Sequence, residues 1–242
     1  MLKSVFFKLR NIFYKDCVKL SGSILPASSL RWCGSGLKED TAYLESAINE
    51  AKRLKEKCEC NENSTIVDVG CGQGRLPIGL LRFFESVKYS GFDVDKRSIK
   101  WCKKHIASKN KTFSFYHLNL NNERYNPKGS PLNNSFHFPV VDNSIDIIYL
   151  FSVFSHMTKE DMQVYLIEFR RMIKSEGVLF FTAFVEKNVP EYTINPDGYI
   201  FKHCSGPLHI VRFEKDYLFS FLHNVGFNVD LFTHHSEIDS QS

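Results

Sequence analysis

The chain has 242 residues and a mass of 28.0 kDa, enough for one well-buried α/β domain with elaborations. Its 43% hydrophobic and 24% charged residues are those of an ordinary globular protein, and no apolar run reaches the roughly 20 residues that a membrane span needs. The net charge of +4 is dispersed, with bases and acids interleaved at 38–40 and 52–57, whereas nucleic-acid binders concentrate positive charge in a stripe; nucleic acid is therefore not an expected partner.

In chain order, residues 1–60 read as a helical extension. From Met1 to Leu20 the stretch is basic and amphipathic, with Leu2, Val5, Phe6, Leu9, Ile12 and Phe13 at helical spacing. Such a helix suits docking on the body of the protein; lying on a membrane surface is the alternative. A Gly/Ser/Pro-containing middle runs from Ser21 to Gly36, and Thr41–Lys57 has helical periodicity again. The charged run 52–57 reads as its solvated face.

Strands and helices then alternate. Strands are expected at 65–69, 89–93, 112–117, 145–151 and 177–184, and helices at 75–84, 96–107 and 159–173, with a polar loop at 119–134. The strands are nearly continuous apolar runs, which predicts parallel pairing under helices on both faces. Residues 185–212 lack a period and carry Pro190, Pro196, Gly198, Gly206 and Pro207, as expected of a functional loop. A helix at 214–224, a Gly226-Phe227 turn and a strand at 228–232 complete the expected elements. Seven unevenly spaced cysteines do not form a disulfide framework; Cys58 and Cys60 have no second ligand pair at zinc spacing, so no metal is expected. Reduced thiols fit the cytoplasm.

The chemistry concentrates at 65–75. Gly70, Gly72 and Gly74 follow a buried strand and open a helix, so the backbone can turn sharply, approach a ligand closely and offer free helix amides to an anionic group. Arg75 stands where a dinucleotide fingerprint needs its last glycine, and no Gly-Lys-Ser/Thr follows. Asp93 ends the next strand about 20 residues on, where a carboxylate can accept from ribose hydroxyls in such folds. Asp68, within the first strand, needs a partner because a buried lone acid is costly; either loop amides or a cationic ligand group would serve.

The segments Val67-Asp68-Val69-Gly70-Cys71-Gly72-Gln73-Gly74 and Tyr89–Asp95 resemble the first two motifs of the class I S-adenosylmethionine-dependent methyltransferases. Asp146–His156, Arg171–Gly177 and Asn224–Phe227 continue that resemblance. It implies an α/β, Rossmann-like three-layer sandwich with a mostly parallel central sheet, formed by residues 61–242 behind the 1–60 extension or lid. It implies S-adenosylmethionine as cofactor, with Gly70, Gly72 and Gly74 around the methionine, Asp68 near its amino group and Asp93 on the ribose. Val94 would line the adenine, Asn119 would meet the adenine amine in place of the more usual acid, and Phe151 would flank the cofactor. The family's terminal hairpin is not legible in the polar tail 236–242. The sheet is thus reduced, filled by a segment such as Tyr199–Cys204, or the chain is a shortened form.

Methyl transfer depends mostly on in-line alignment, with a base where the acceptor is a hydroxyl or a protonated amine. His156 follows the fourth strand and is the candidate base; a helix-start role is the alternative. Tyr199, His203 and His209 could contact the acceptor, although ordinary loop packing is the first expectation for any one of them, while His234 and His235 are expected in solvent. The acceptor is read as a small molecule, methylated at oxygen or nitrogen. A nucleic-acid methyltransferase and a catalytically silent cofactor-binding protein on this fold are the alternatives.

Overall fold

The structure is a computed structural model describing residues 16–31, 34–200 and 202–234. Its organising element is a five-stranded, wholly parallel sheet of β3 (Thr65–Val69), β4 (Lys88–Asp93), β5 (Phe113–His117), β6 (Ile145–Leu150) and β7 (Ile173–Phe181). The strand order is β5-β4-β3-β6-β7. The chain builds outward from β3 in one direction and then crosses back to β6 on its other side. The carboxyl ends of β3 and β6 therefore border the crevice where such sheets take their ligands.

Strand alternation sends Ile66, Tyr89, Ile147 and Tyr149 to one face, into a core shared with α1 (Asp40–Lys57), α2 (Arg75–Leu80) and α3 (Lys96–His105). Val67, Val69, Phe92, Ile148 and Leu150 point to the other face, against α4 (Lys159–Met172) and α5 (Lys215–Asn224). Both faces are covered, which is why the central strands β3 and β6 are mostly apolar. The helix starts are set by side-chain caps: Asp95 accepts from the amides of Arg97 and Ser98, Thr158 from Asp161, and Glu214 from Tyr217. No helix among the described residues is long and apolar enough to cross a membrane.

Three expectations are corrected. The extension is not helical throughout: β1 (Cys17–Leu20) and β2 (Ser23–Pro26) form an antiparallel hairpin, whose tight turn uses positive φ at Ser21 and Gly22. The proposed amphipathic helix otherwise falls on residues outside the described ones, as does the tail after 234. Residues 185–212 are not structureless, since β8 (Phe184–Glu186), β9 (Tyr192–Ile194) and β10 (Val211–Glu214) make a separate sheet in the order β8-β10-β9. Residues 228–232 are not a strand, although the segment alternates as one, and Tyr199–Cys204 contributes no strand among its described residues.

Two polar clamps hold the periphery. The buried Arg31 guanidinium donates to the carbonyls of Pro26 and Lys38 and pairs with Asp40, fastening the arm to the start of α1. On the opposite side the buried Glu168 carboxylate accepts from the Phe138 amide and from Arg171 Nε and Nη2. The long β5–β6 connection is thereby tied to α4.

The α1–α2 packing has no room for a side chain at Gly79, where a Cβ would stand 1.9 Å from the Ala47 carbonyl oxygen. Gly79→Ala should therefore destabilise the protein by at least ~1–3 kcal/mol through overpacking, despite alanine's better helix propensity. A lowered urea midpoint is the expected result; an unchanged or raised one would show that the two helices separate freely.

Candidate functional site

The site begins with the turn after β3. The amides of Gly70 and Cys71 both donate to the Phe92 carbonyl on β4, at 2.8 and 3.1 Å, and Gly72 N–H donates to Asp93 Oδ2 at 2.7 Å. Asp93 Oδ1 accepts from the Asp95 amide at 2.7 Å. The Asp93 carboxylate thus ties the glycine turn to the end of β4. Beyond the backbone amides it accepts from, the carboxylate keeps acceptor capacity for a ligand hydroxyl. Burial pushes its pKa up to about 6, opposed by these amide hydrogen bonds.

Gly70 has φ 79°, and a Cβ there would lie 2.4 Å from Val153 Cγ2, so both conformation and space demand glycine. Gly72 also has positive φ, yet a Cβ on it would meet nothing within 4 Å. Its outer side is open for a ligand to approach the backbone.

Asp68 lies beneath this turn, 3% exposed, and accepts from the Tyr89 hydroxyl at 2.5 Å. Loss of water pushes its pKa up to about 8. The Tyr89 hydrogen bond opposes that rise, the Glu50 and Asp93 carboxylates add to it, and Arg75 offsets part. Arg75 pairs with Glu50 of α1 and lies over the Phe151 ring at 4.9 Å. Arg53 lies over the rings of Phe151 and Phe180 at 5.3 and 5.8 Å, and Tyr149 stacks on Phe180 at 5.2 Å. Arg53 is therefore not on the solvated face expected from its charged run. The Tyr149 hydroxyl is buried without a partner. Glu50, Arg53, Arg75 and Tyr149 were not legible as a group, because they join only through the packing of α1 over the sheet.

A cavity of about 390 Å³ opens beside the carboxyl ends of β4 and β5, lined by Val94, Asp95, His117, Asn119, Tyr125 and Asn126. Val94 and Asn119 are thus brought together. Asn119 Oδ1 also takes a long hydrogen bond from Asn126, at 3.3 Å. Phe151 lies elsewhere, packed against the α1 side of the sheet.

His156 sits in a single turn of 3-10 helix, Phe154–His156, ahead of α4 rather than as its cap. Its Nδ1 is 3.0 Å from the Leu208 carbonyl, an acceptor only, so Nδ1 carries the proton and Nε2 keeps a lone pair. Nε2 faces Ser152 Oγ at 3.4 Å. Burial holds the His156 pKa down near 4, against the Leu208 hydrogen bond and helped by the charge of Arg124. Ser152 has φ 58°, an uncommon conformation for a residue with a side chain; its amide is held by Thr182 Oγ1 at 2.9 Å. Tyr125, which lines the cavity, meets the His156 ring edge-on at 5.7 Å. The other histidines diverge: His209 Nδ1 accepts from the Ser205 amide at 2.9 Å, and His234, expected in solvent, contacts the Val185 carbonyl at 3.1 Å and pairs with Glu186.

Among the described residues, one mixed donor set gathers at the arm: Asp16, Cys17 and His105. Lys104 and His105 already share Asp16 Oδ2, at 2.6 and 3.1 Å, and the cluster anchors the hairpin to α3.

Fold and glycine turn together define a nucleotide-type binding domain of the Rossmann-like kind. Residues 67–179 match the model of a family described as "Methyltransferase domain". The chain is similar in fold to a chain from Haloferax volcanii, provisionally described as a methyltransferase and solved with the Trm112 methyltransferase activator. That match has 16% identity over 83% of this chain and 77% of that one, with a TM-score of 0.58. It is also similar to an O-methyltransferase from a trans-AT PKS multienzyme of Brevibacillus brevis, solved with S-adenosyl-L-homocysteine, at 15% identity over 75% and 51% of the two chains and a TM-score of 0.52. Of two further solved chains, this one spans 52% and 58% of the length.

The raised pKa of Asp68 has a definite sign. The native state favours its protonated form, so its contribution to stability is full below the unfolded value near 4 and is lost as pH rises through about 8. Urea unfolding at pH 5 and pH 8 should show Asp68→Asn losing less stability than the parent over this interval, by at least ~1 kcal/mol. Parallel losses in the two proteins would mean that Asp68 is already ionised at pH 5 in the folded state.

Proposed function

We propose that the protein is a methyltransferase that passes the methyl group of S-adenosylmethionine to oxygen or nitrogen of a small-molecule acceptor. The observation that carries this reading is the Asp93 carboxylate, held by the Gly72 and Asp95 amides at the sheet's crossover with free lone pairs beside an open glycine backbone. The residues fit the cofactor's parts. Gly70, Gly72 and Gly74 would border its amino-acid end with Asp68 beneath, Asp93 would accept from the ribose hydroxyls, and Val94 and Asn119 would flank the adenine in the 390 Å³ cavity. Phe151, under Arg75, would act as an aromatic wall of the amino-acid end.

Bound S-adenosylmethionine supplies an electrophilic methyl group on a sulfonium, and the chain's own part is alignment and proton handling. His156, neutral with its lone pair on Nε2, can accept a proton from an acceptor hydroxyl or ammonium. Its depressed pKa keeps that lone pair available throughout the neutral range. Ser152 would orient either the ring or the acceptor. Residues 16–57 would serve as an arm or lid ahead of the body of the domain. The free cysteines described, buried ones included, favour a cytoplasmic setting. The dispersed charge disfavours a nucleic-acid acceptor, and the lone pair placed on His156 Nε2 favours catalysis over a silent binding role.

Calorimetric titration with S-adenosylmethionine, S-adenosylhomocysteine and NAD in parallel tests the reading. The first two should bind and NAD should not, with Asp93→Ala weakening S-adenosylhomocysteine about 10-fold or more, a loss of ~1.4 kcal/mol. His156→Ala should keep that affinity and lower turnover of an acceptor found by screening hydroxyl and amine compounds with methyl-labelled cofactor. Binding of NAD alone would refute the proposal.

A further inference from the structure

The small sheet β8-β10-β9 carries an arrangement that the cofactor site does not use. Its register sets Phe184, Arg212 and Thr193 side by side, one from each strand. Paired residues project from the same face, so these three form one cross-strand row. Neighbouring positions Val185, Val211 and Phe213 point the other way, into the core beneath.

Arg212 is central to the row and electrostatically unmatched. Its Nε is buried and has no hydrogen-bond partner, and the hydroxyl of Thr193 opposite is buried and unpartnered as well. Among the described residues the guanidinium makes no ion pair; its neighbour is the Tyr199 ring, with Cζ 5.1 Å from the centroid. Tyr199 also packs edge-on against Phe184 at 6.0 Å, closing the row on one side. The nearby acid Glu186 is engaged elsewhere, accepting from the Tyr199 hydroxyl at 2.9 Å and pairing with His234. Buried donors are nearly always satisfied, and an orphaned one implies a missing partner. An arginine Nε–H beside a threonine hydroxyl, flanked by an aromatic ring, is a donor set for an oxyanion.

The row is joined to the candidate catalytic turn. The strand β10 packs on the Phe154–His156 turn, and the Leu208 carbonyl that fixes the His156 tautomer belongs to the chain leading into β10. The row thus shares its strand with the support of the candidate catalytic turn.

We infer that Arg212 and Thr193, walled by Tyr199, form a subsite for an oxyanion of the acceptor, so that the acceptor is a small molecule carrying a carboxylate or a phosphate group. This rests on the methyltransferase reading for its assignment to the acceptor, but the anion site itself does not. The Arg212 side chain would take the oxyanion through Nε–H, Thr193 would donate through Oγ1, and Tyr199 would cover the group attached to it.

The test follows the Arg212 Nε–H resonance by NMR, identified by its loss in Arg212→Lys, while benzoate and inorganic phosphate are titrated separately. S-adenosylhomocysteine is titrated on the same sample. At least one anion should shift the resonance saturably; benzoate alone would mark a carboxylate and phosphate alone a phosphate ester. Thr193→Val should weaken that binding several-fold and Thr193→Ser should restore it. No saturable shift, or an equal shift with chloride at the same ionic strength, would overturn the site. If S-adenosylhomocysteine binds while neither anion does, the inference fails and the methyltransferase reading stands. If an anion binds while S-adenosylhomocysteine does not, the site's assignment to a methyl acceptor is overturned.

Discussion

A single carboxylate, that of Asp93, holds the site's two sides together. Parallel strands β3 and β4 run side by side up to Val69 and Phe92, and beyond that point no ladder hydrogen bonds remain to organise the chain. The Phe92 carbonyl and the Asp93 side chain take over, receiving the amides of Gly70, Cys71 and Gly72. The turn must then climb through positive φ, which glycine adopts at little cost. Strand pairing, turn chemistry and the carboxylate's position are one constraint. The open backbone at Gly72 is its consequence.

The same crowding makes the site electrostatically tense. The Glu50 and Asp93 carboxylates lie close enough to Asp68 to raise its proton affinity, with Arg75 offsetting part of the rise. Buried acids with raised pKa values and a buried tyrosine hydroxyl without a partner are costly arrangements for a structural core. Their gathering at the crossover of the sheet, and not at its far end, is the pattern expected where a charged ligand is to be received. The His156 turn lies at the carboxyl end of β6, on the other side of that crossover.

Much of this was legible in the amino-acid sequence. Strands β3 and β6 are buried on both faces and so stand out as apolar runs. The glycines could be read because a sharp turn and a close backbone approach demand that residue type. The hairpin at 17–26 and the three short strands of the cap could not, since three or four residues carry no measurable period and lie among Pro and Gly. Residues 228–232 alternate convincingly but find no strand to pair with. Arg53 was misread for a related reason: its neighbours Lys52 and Lys55 are exposed, and only the approach of α1 to Phe151 and Phe180 turns Arg53 inward.

The account depends most on the claim that Asp93 and the glycine turn are a cofactor cradle and not merely a well-tied loop. A crystal structure of the complex with S-adenosylhomocysteine tests it directly. The account requires both ribose hydroxyls within hydrogen-bond distance of the Asp93 carboxylate, with the ligand's amino-acid end against Gly70–Gly74 and the adenine between Val94 and Asn119. A ligand bound elsewhere, with Asp93 contacting only the amides of Gly72 and Asp95, would contradict it.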